Sequence, residues 1–173
     1  MDFPALGDGV AVISLRDPGD AVPEPLSGHS GPCLSLVFHD TDGDVLDEPP
    51  QPWHLTQVER FLVEAGEGRA VHVHCFAGIS RSPALASFVL ALRHPAWRDA
   101  AVVAAVLHVR PQAQPNATVL ALADDYLGRK LRGAWRRAAA RYSAGAGERT
   151  GFRVGLGLSP VAAASGLWAQ RSL

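Results

Sequence analysis

The sequence predicts a single-domain α/β fold with a mainly parallel central sheet flanked by helices. Three observations carry that expectation. Short apolar runs at 10–15, 34–38 and 70–74 have the length and β-branched content of buried strands. Helix-period patterns follow the second and third runs. With 173 residues, 47% of them hydrophobic, the chain builds one core of ordinary domain size, and no internal repeat divides it.

The elements follow in order. Residues 10–15 form the first strand, stopped by the turn sequence Asp17-Pro18-Gly19-Asp20. A segment rich in proline and glycine, 17–32, reads as an irregular excursion. Strand 34–38 comes next, then a polar, acidic loop over 40–52. A helix is expected at 54–65, with Leu55, Val58, Phe61 and Leu62 on one face and Thr56 as its cap. Residues 70–74 read as a central strand, apolar apart from His72 and His74. Helices are expected over 83–92, over 99–109, and as one long element from Asn116 to about 141, with Asn116 as N-cap. The folded domain is therefore expected at 1–142. A Gly/Ala-rich tail, 143–173, is weakly ordered or packed on it.

The chemistry concentrates between the third strand and the next helix: His74-Cys75-Phe76-Ala77-Gly78-Ile79-Ser80-Arg81-Ser82. A strand that turns sharply into a helix leaves backbone N–H groups without intrahelical partners, pointing into one concavity. The helix N-terminus adds partial positive charge there, so the loop is a phosphate cradle. Cys75 starts the loop and lies at the bottom of the cradle, where those dipoles favour a thiolate nucleophile. Arg81 closes the ring with a planar fork suited to two phosphate oxygens. Gly78 supplies a left-handed or close-approach conformation, and Ile79 is the loop residue expected to anchor in the core.

At these residues the chain resembles the cysteine-dependent protein tyrosine and dual-specificity phosphatases, whose signature is His-Cys, five residues, then Arg followed by Ser or Thr. The string VHCFAGISRSPA is most similar to the dual-specificity branch, and the likeness to small bacterial members extends from ISLRDP through RPQAQPN to LADDYLGR. The resemblance implies that Cys75 attacks phosphorus. It further implies that Arg81 and the N–H groups of Phe76, Ala77, Gly78, Ile79, Ser80 and Arg81 hold the phosphate oxygens. Ser82 would help the thiolate leave in the second step, and His74 would tune the thiolate without transferring protons. The resemblance also implies an aspartic acid on a loop roughly thirty to thirty-five residues before the cysteine, to protonate the leaving oxygen. Asp40 directly follows a strand and is the first candidate; Asp42 and Asp44 are the alternatives.

Composition narrows the rest. A net charge of −1 gives no polycation for nucleic acid. The longest apolar run is too short to span a membrane, and the N-terminus lacks a secretory pattern, so a cytoplasmic monomer acting on a phosphorylated protein is expected. Thiolate chemistry needs no cofactor and no metal. His72 and His74 face one side of their strand, but no third ligand has sensible spacing. Cys33 reads as a buried strand cysteine, with a protective disulfide to Cys75 as the alternative. The basic run Arg129, Lys130, Arg132, Arg136, Arg137 and Arg141 reads as a solvated helix face. The uncharged loop disfavours phosphoinositides, leaving phosphotyrosine first and phosphoserine or phosphothreonine next. Two other classes stay open: a silent module that binds phosphorylated partners without turnover, and a rhodanese-like sulfurtransferase.

Overall fold

The computed structural model describes residues 7, 9–23, 26, 28–41, 47–145 and 167–168. Strands β1 (Val10–Arg16), β2 (Cys33–Val37) and β3 (Ala70–His74) pair in parallel, and a two-residue β4 (Leu167–Trp168) joins β3. The order is β2-β1-β3-β4, so β3 sits inside the sheet. The helices are α1 (Pro52–Ala65), α2 (Arg81–Arg93), α3 (Asp99–Val109), α4 (Ala117–Leu127) and α5 (Leu131–Gly145).

Strand alternation explains the core. Ala11, Ile13 and Leu15 of β1 and Val71 and Val73 of β3 share one face and join residues from all five helices in a single apolar cluster. Val12, Ser14, His72 and His74 occupy the other face, because the register sets Val12 beside His72 and Ser14 beside His74. Helix α2 is buried at every position from Arg81 to Ala91. Such an all-round apolar helix belongs at the centre of a domain. Phe88, fully buried on it, contributes about 1.5–3 kcal/mol by leaving water. Ser87 remains satisfied there by donating to the Pro83 carbonyl, 2.8 Å, and accepting from Trp135 Nε1, 3.0 Å. The helix that begins at the loop arginine is thus fixed along its length.

Several boundaries differ from the sequence reading. Helix α1 starts two residues early, because Pro52 suits the first helical position and His54 Nδ1 accepts from the Gln51 N–H, 2.8 Å. Gln51, not Thr56, is its cap. The long final helix is two helices, divided at Gly128, whose φ of +63° ends α4 in the left-handed conformation. Asn116 does cap α4, its Oδ1 accepting from the Val119 N–H at 2.9 Å. Of the basic run, Arg129 is not a solvated residue: it is half-buried and binds Asp99, 2.7 Å, and the carbonyls of Ala91 and Trp97. The tail expected at 143–173 lies outside the described residues except at 143–145 and 167–168. Among the described residues no helix is long and apolar enough to cross a membrane.

Candidate active site

Because β3 is flanked on both edges, its C-terminal end opens onto the middle of the sheet, and Cys75 is the first residue past it. The thiol is buried, 4% exposed, and its Sγ lies 3.3 Å from Ser82 Oγ on the first turn of α2. Ser82 therefore contacts the sulfur directly, and its hydroxyl donates to the thiolate whenever the thiol is ionised.

The shape of the loop follows from where its carbonyls go. Arg110 donates from Nη2 to the Ala77 carbonyl, 2.8 Å, and from Nε to the Gly78 carbonyl, 3.0 Å. The Ile79 carbonyl accepts from the Gln114 N–H, 2.8 Å, and the Ser80 carbonyl from the Asn116 N–H, 3.2 Å. Four successive carbonyls are held outward by the segment joining α3 to α4. Each planar trans peptide sets the next N–H opposite its carbonyl, so the N–H groups of Gly78, Ile79, Ser80 and Arg81 turn into the ring. At Gly78, φ is +68°, and a Cβ there would meet Arg110 Nη2 at 3.2 Å. Both reasons for glycine hold. Ile79 does not anchor the loop in the core: its side chain is only half-buried, and its backbone carbonyl makes the attachment instead. Phe76 points out at the mouth, 77% exposed.

Arg81 is 3% exposed, and its guanidinium has two edges. The end edge is spent: Nη1 and Nη2 donate to the two oxygens of Asp17 at 2.9 and 3.0 Å, and Nη1 also donates to the Phe38 carbonyl, 2.8 Å. The side edge is not. Nε is buried without a hydrogen-bond partner, its nearest acid being Asp40 Oδ2 at 3.9 Å. The fork expected to take phosphate is therefore the Nε/Nη2 edge, with Asp17 gripping the other.

These are the features of one constellation: a buried thiol on the floor, a ring of inward N–H groups, a hydroxyl on the sulfur and an arginine with one edge unspent. Compared with solved structures, the chain is similar to human DUSP28 at 23% identity over 70% of this chain and 76% of that one, with a TM-score of 0.51. It is similar to human tyrosine phosphatase-like serine/threonine/tyrosine-interacting protein at 21% identity over 68% and 76%, TM-score 0.53. It is also similar to PTPMT1 in complex with PI(5)P, at 18% identity over 75% and 81%, TM-score 0.53. The chain has the dual-specificity phosphatase fold. No family model and no curated protein matches the sequence.

On that fold the remaining candidates take definite positions. Asp40 reaches the loop: its Oδ1 accepts from Ser80 Oγ, 2.6 Å, and from Asn116 Nδ2, 2.9 Å, while Asn116 Nδ2 also donates to the Thr41 carbonyl, 3.1 Å. Asn116 is 4% exposed, so one buried side chain caps α4 and braces the aspartate. The alternatives Asp42 and Asp44 lie outside the described residues. His74 is buried next to Cys75 in the chain. Burial, with a further push from His72 close by, drives its pKa down to about 4 against a bond to the Cys75 backbone that pulls it up. The imidazole is neutral at neutral pH. The rings of His72 and His74 stack with centroids 5.7 Å apart, and among the described residues no third His, Cys, Asp or Glu completes a metal cluster with them.

Cys33 corrects its sequence reading. It is exposed, not buried, and it sits at the start of β2 beside Val12, whereas Cys75 lies level with Leu15 one strand beyond β1. Three residues along the strands and two strands across put the cysteines about 10 Å apart in each direction. A disulfide needs Cα atoms within roughly 7 Å, so Cys33 does not protect Cys75 that way. Desolvation also raises the Cys33 pKa, only partly offset by Arg16, which disfavours a reactive thiolate.

Three functional residues escaped the sequence reading. Asp17 reads only as part of a turn and a similar string, and Arg110 and Asn116 only as part of a similar string or a helix cap. The usable signal was weak: an acid just past β1, and an Arg and an Asn six residues further on framing a proline-rich turn.

Proposed function

We propose that this chain is a cysteine-dependent phosphatase that hydrolyses phosphate monoesters, with phosphotyrosine in proteins as its substrate, through a phosphocysteine intermediate. The observation that carries the reading is the buried, unpartnered Nε of Arg81 at the end of the loop that begins with buried Cys75. A phosphate monoester fits there with oxygens on the Nε/Nη2 edge and on the inward N–H groups. The Cys75 sulfur then attacks phosphorus in line, an S–P bond forms, and the P–O ester bond breaks. Asp40 gives its proton to the leaving oxygen. In the second step Asp40 takes a proton from water, the water oxygen bonds phosphorus, and the S–P bond breaks with the Ser82 hydroxyl donating to the departing thiolate.

The uncharged loop side chains Phe76, Ala77, Ile79 and Ser80 support a substrate with a single phosphate. Phe76 at the mouth supports an aromatic ester, because an exposed phenyl face suits stacking on a tyrosyl ring. Hydrolysis of p-nitrophenyl phosphate near pH 6 without added metal tests the reading. Wild type should turn over and Cys75→Ser should not. Equal rates in the two, or thiosulfate-to-cyanide transfer in place of phosphatase activity, would overturn it.

A further inference from the structure

Charge around the mouth of this site has one sign. The segments that follow β1 and β2 carry no Lys or Arg from Asp17 to Gln51. In the loop after β3 and the α3–α4 segment the only cations are Arg81 and Arg110, each 3% exposed and each holding backbone or Asp17. Arg16, at the end of β1, is turned onto Ser35 and the Asp20 carbonyl. Against these stand acids one contact removed from the cradle. Asp17 grips Arg81 and donates its own N–H to Asp20 Oδ2 at 3.2 Å; Asp20 is exposed. Asp40 bonds Ser80, and its neighbour His39 pairs by backbone with exposed Glu48, 2.8 Å, and lies 3.8 Å from Asp47. In these segments, among the described residues, Lys and Arg charge is thus limited to buried Arg81 and Arg110, and the Nε of Arg81 has no hydrogen-bond partner.

A ligand that lays one phosphate on the floor of the cradle has Asp17 and Asp40 beside it, with Asp20, Asp47 and Glu48 one contact further out. A second phosphate at the rim would face like charge with no cation to answer it, whereas a lysine or arginine there would gain on both sides of the mouth. We infer that the rim selects a singly phosphorylated peptide with basic residues beside the phosphoresidue, and rejects acidic or multiply phosphorylated substrates. The inference rests on the phosphatase reading and adds to it the charge of the substrate. Asp47 and Glu48 serve the rim without touching the cradle, so they set this preference separately from turnover.

The test uses phosphotyrosine peptides identical except for Arg or Glu on both sides of the phosphotyrosine, with p-nitrophenyl phosphate as a substrate that has no flanks. The basic peptide should exceed the acidic one in kcat/KM by roughly tenfold or more at low salt, with the gap closing as salt screens it. The double variant Asp47→Lys, Glu48→Lys should narrow that gap and leave p-nitrophenyl phosphate turnover unchanged. Equal kcat/KM for the two peptides, or preference for the acidic one, with p-nitrophenyl phosphate turned over normally, overturns the inference alone. If p-nitrophenyl phosphate is not hydrolysed, the phosphatase reading fails, and calorimetric titration of both peptides into Cys75→Ser still decides the charge preference.

Discussion

Asp17 and Arg81, sixty-four residues apart, form a two-pronged ion pair at 2.9 and 3.0 Å that holds the arginine by its end edge and leaves the Nε of its side edge without a hydrogen-bond partner. The pair is asymmetric in exposure, 36% for the aspartate and 3% for the arginine. Solvent at Asp17 weakens the Coulomb term, so its main work is orientation. Asp17→Asn keeps one acceptor and frees the guanidinium to swing. We predict a loss of roughly a hundredfold in kcat/KM, the scale expected when a catalytic group is misplaced by about 1 Å. Arg81→Lys, which has no second edge, should fall further, and phosphate inhibition constants should weaken in parallel. Unchanged kinetics in Asp17→Asn would show that the pair is only structural.

Arg110 holds the loop from behind through the carbonyls of Ala77 and Gly78. Arg110→Ala removes both donors and empties the space against Gly78, so the N–H ring loses its shape. The expected result is a fall in kcat of roughly 10²–10³-fold, as when an oxyanion donor is lost. Phosphate binding should weaken with it, measured by titration into the purified variant.

Asn116 donates to Asp40, and the proposed mechanism makes that aspartate the acid for the leaving oxygen. Asp40→Ala should slow hydrolysis of alkyl and poor aryl leaving groups by about 10²–10⁴-fold and good leaving groups much less. Asn116→Asp should reproduce part of that pattern, since it replaces a donor with a like charge 2.9 Å from Asp40. A loss that is equal across a leaving-group series would assign the proton elsewhere.

His74 makes stability depend on pH with a definite sign. Its folded pKa is about 4, below the ordinary value of 6.5. Above pH 6.5 both states are neutral there and the contribution is flat. As pH falls from 6.5 to 4 the unfolded chain takes up the proton and the folded one does not, so stability drops, by up to about 3 kcal/mol, and levels off below. Urea midpoints measured across that window should fall for the wild type and fall less for His74→Gln.

Much of this was readable in the chain and part was not. The strands and the loop were legible because a buried parallel strand is nearly continuous apolar sequence, and because the Cys75-to-Arg81 spacing has one geometric meaning. Gly128 was missed as a helix end because the helical pattern resumes at Leu131 after only a three-residue break. Asp17 and Arg110 were not assigned, since what they do is defined by partners sixty-four and thirty-three residues away. Ile79 was misplaced for a related reason: an apolar residue in a loop suggests an anchor, yet here hydrogen bonds to carbonyls do the anchoring. Cys33 looked buried by its strand, but an edge strand leaves alternate positions open to solvent.

The most direct measurement is the mass of the acid-quenched protein within the first turnovers of p-nitrophenyl phosphate, using Ser82→Ala to slow the second step. The account predicts a phosphoryl group on the peptide that contains Cys75, more abundant in Ser82→Ala than in wild type and absent from Cys75→Ser. Turnover with no covalent adduct, or an adduct on any other residue, would contradict Cys75 as the nucleophile.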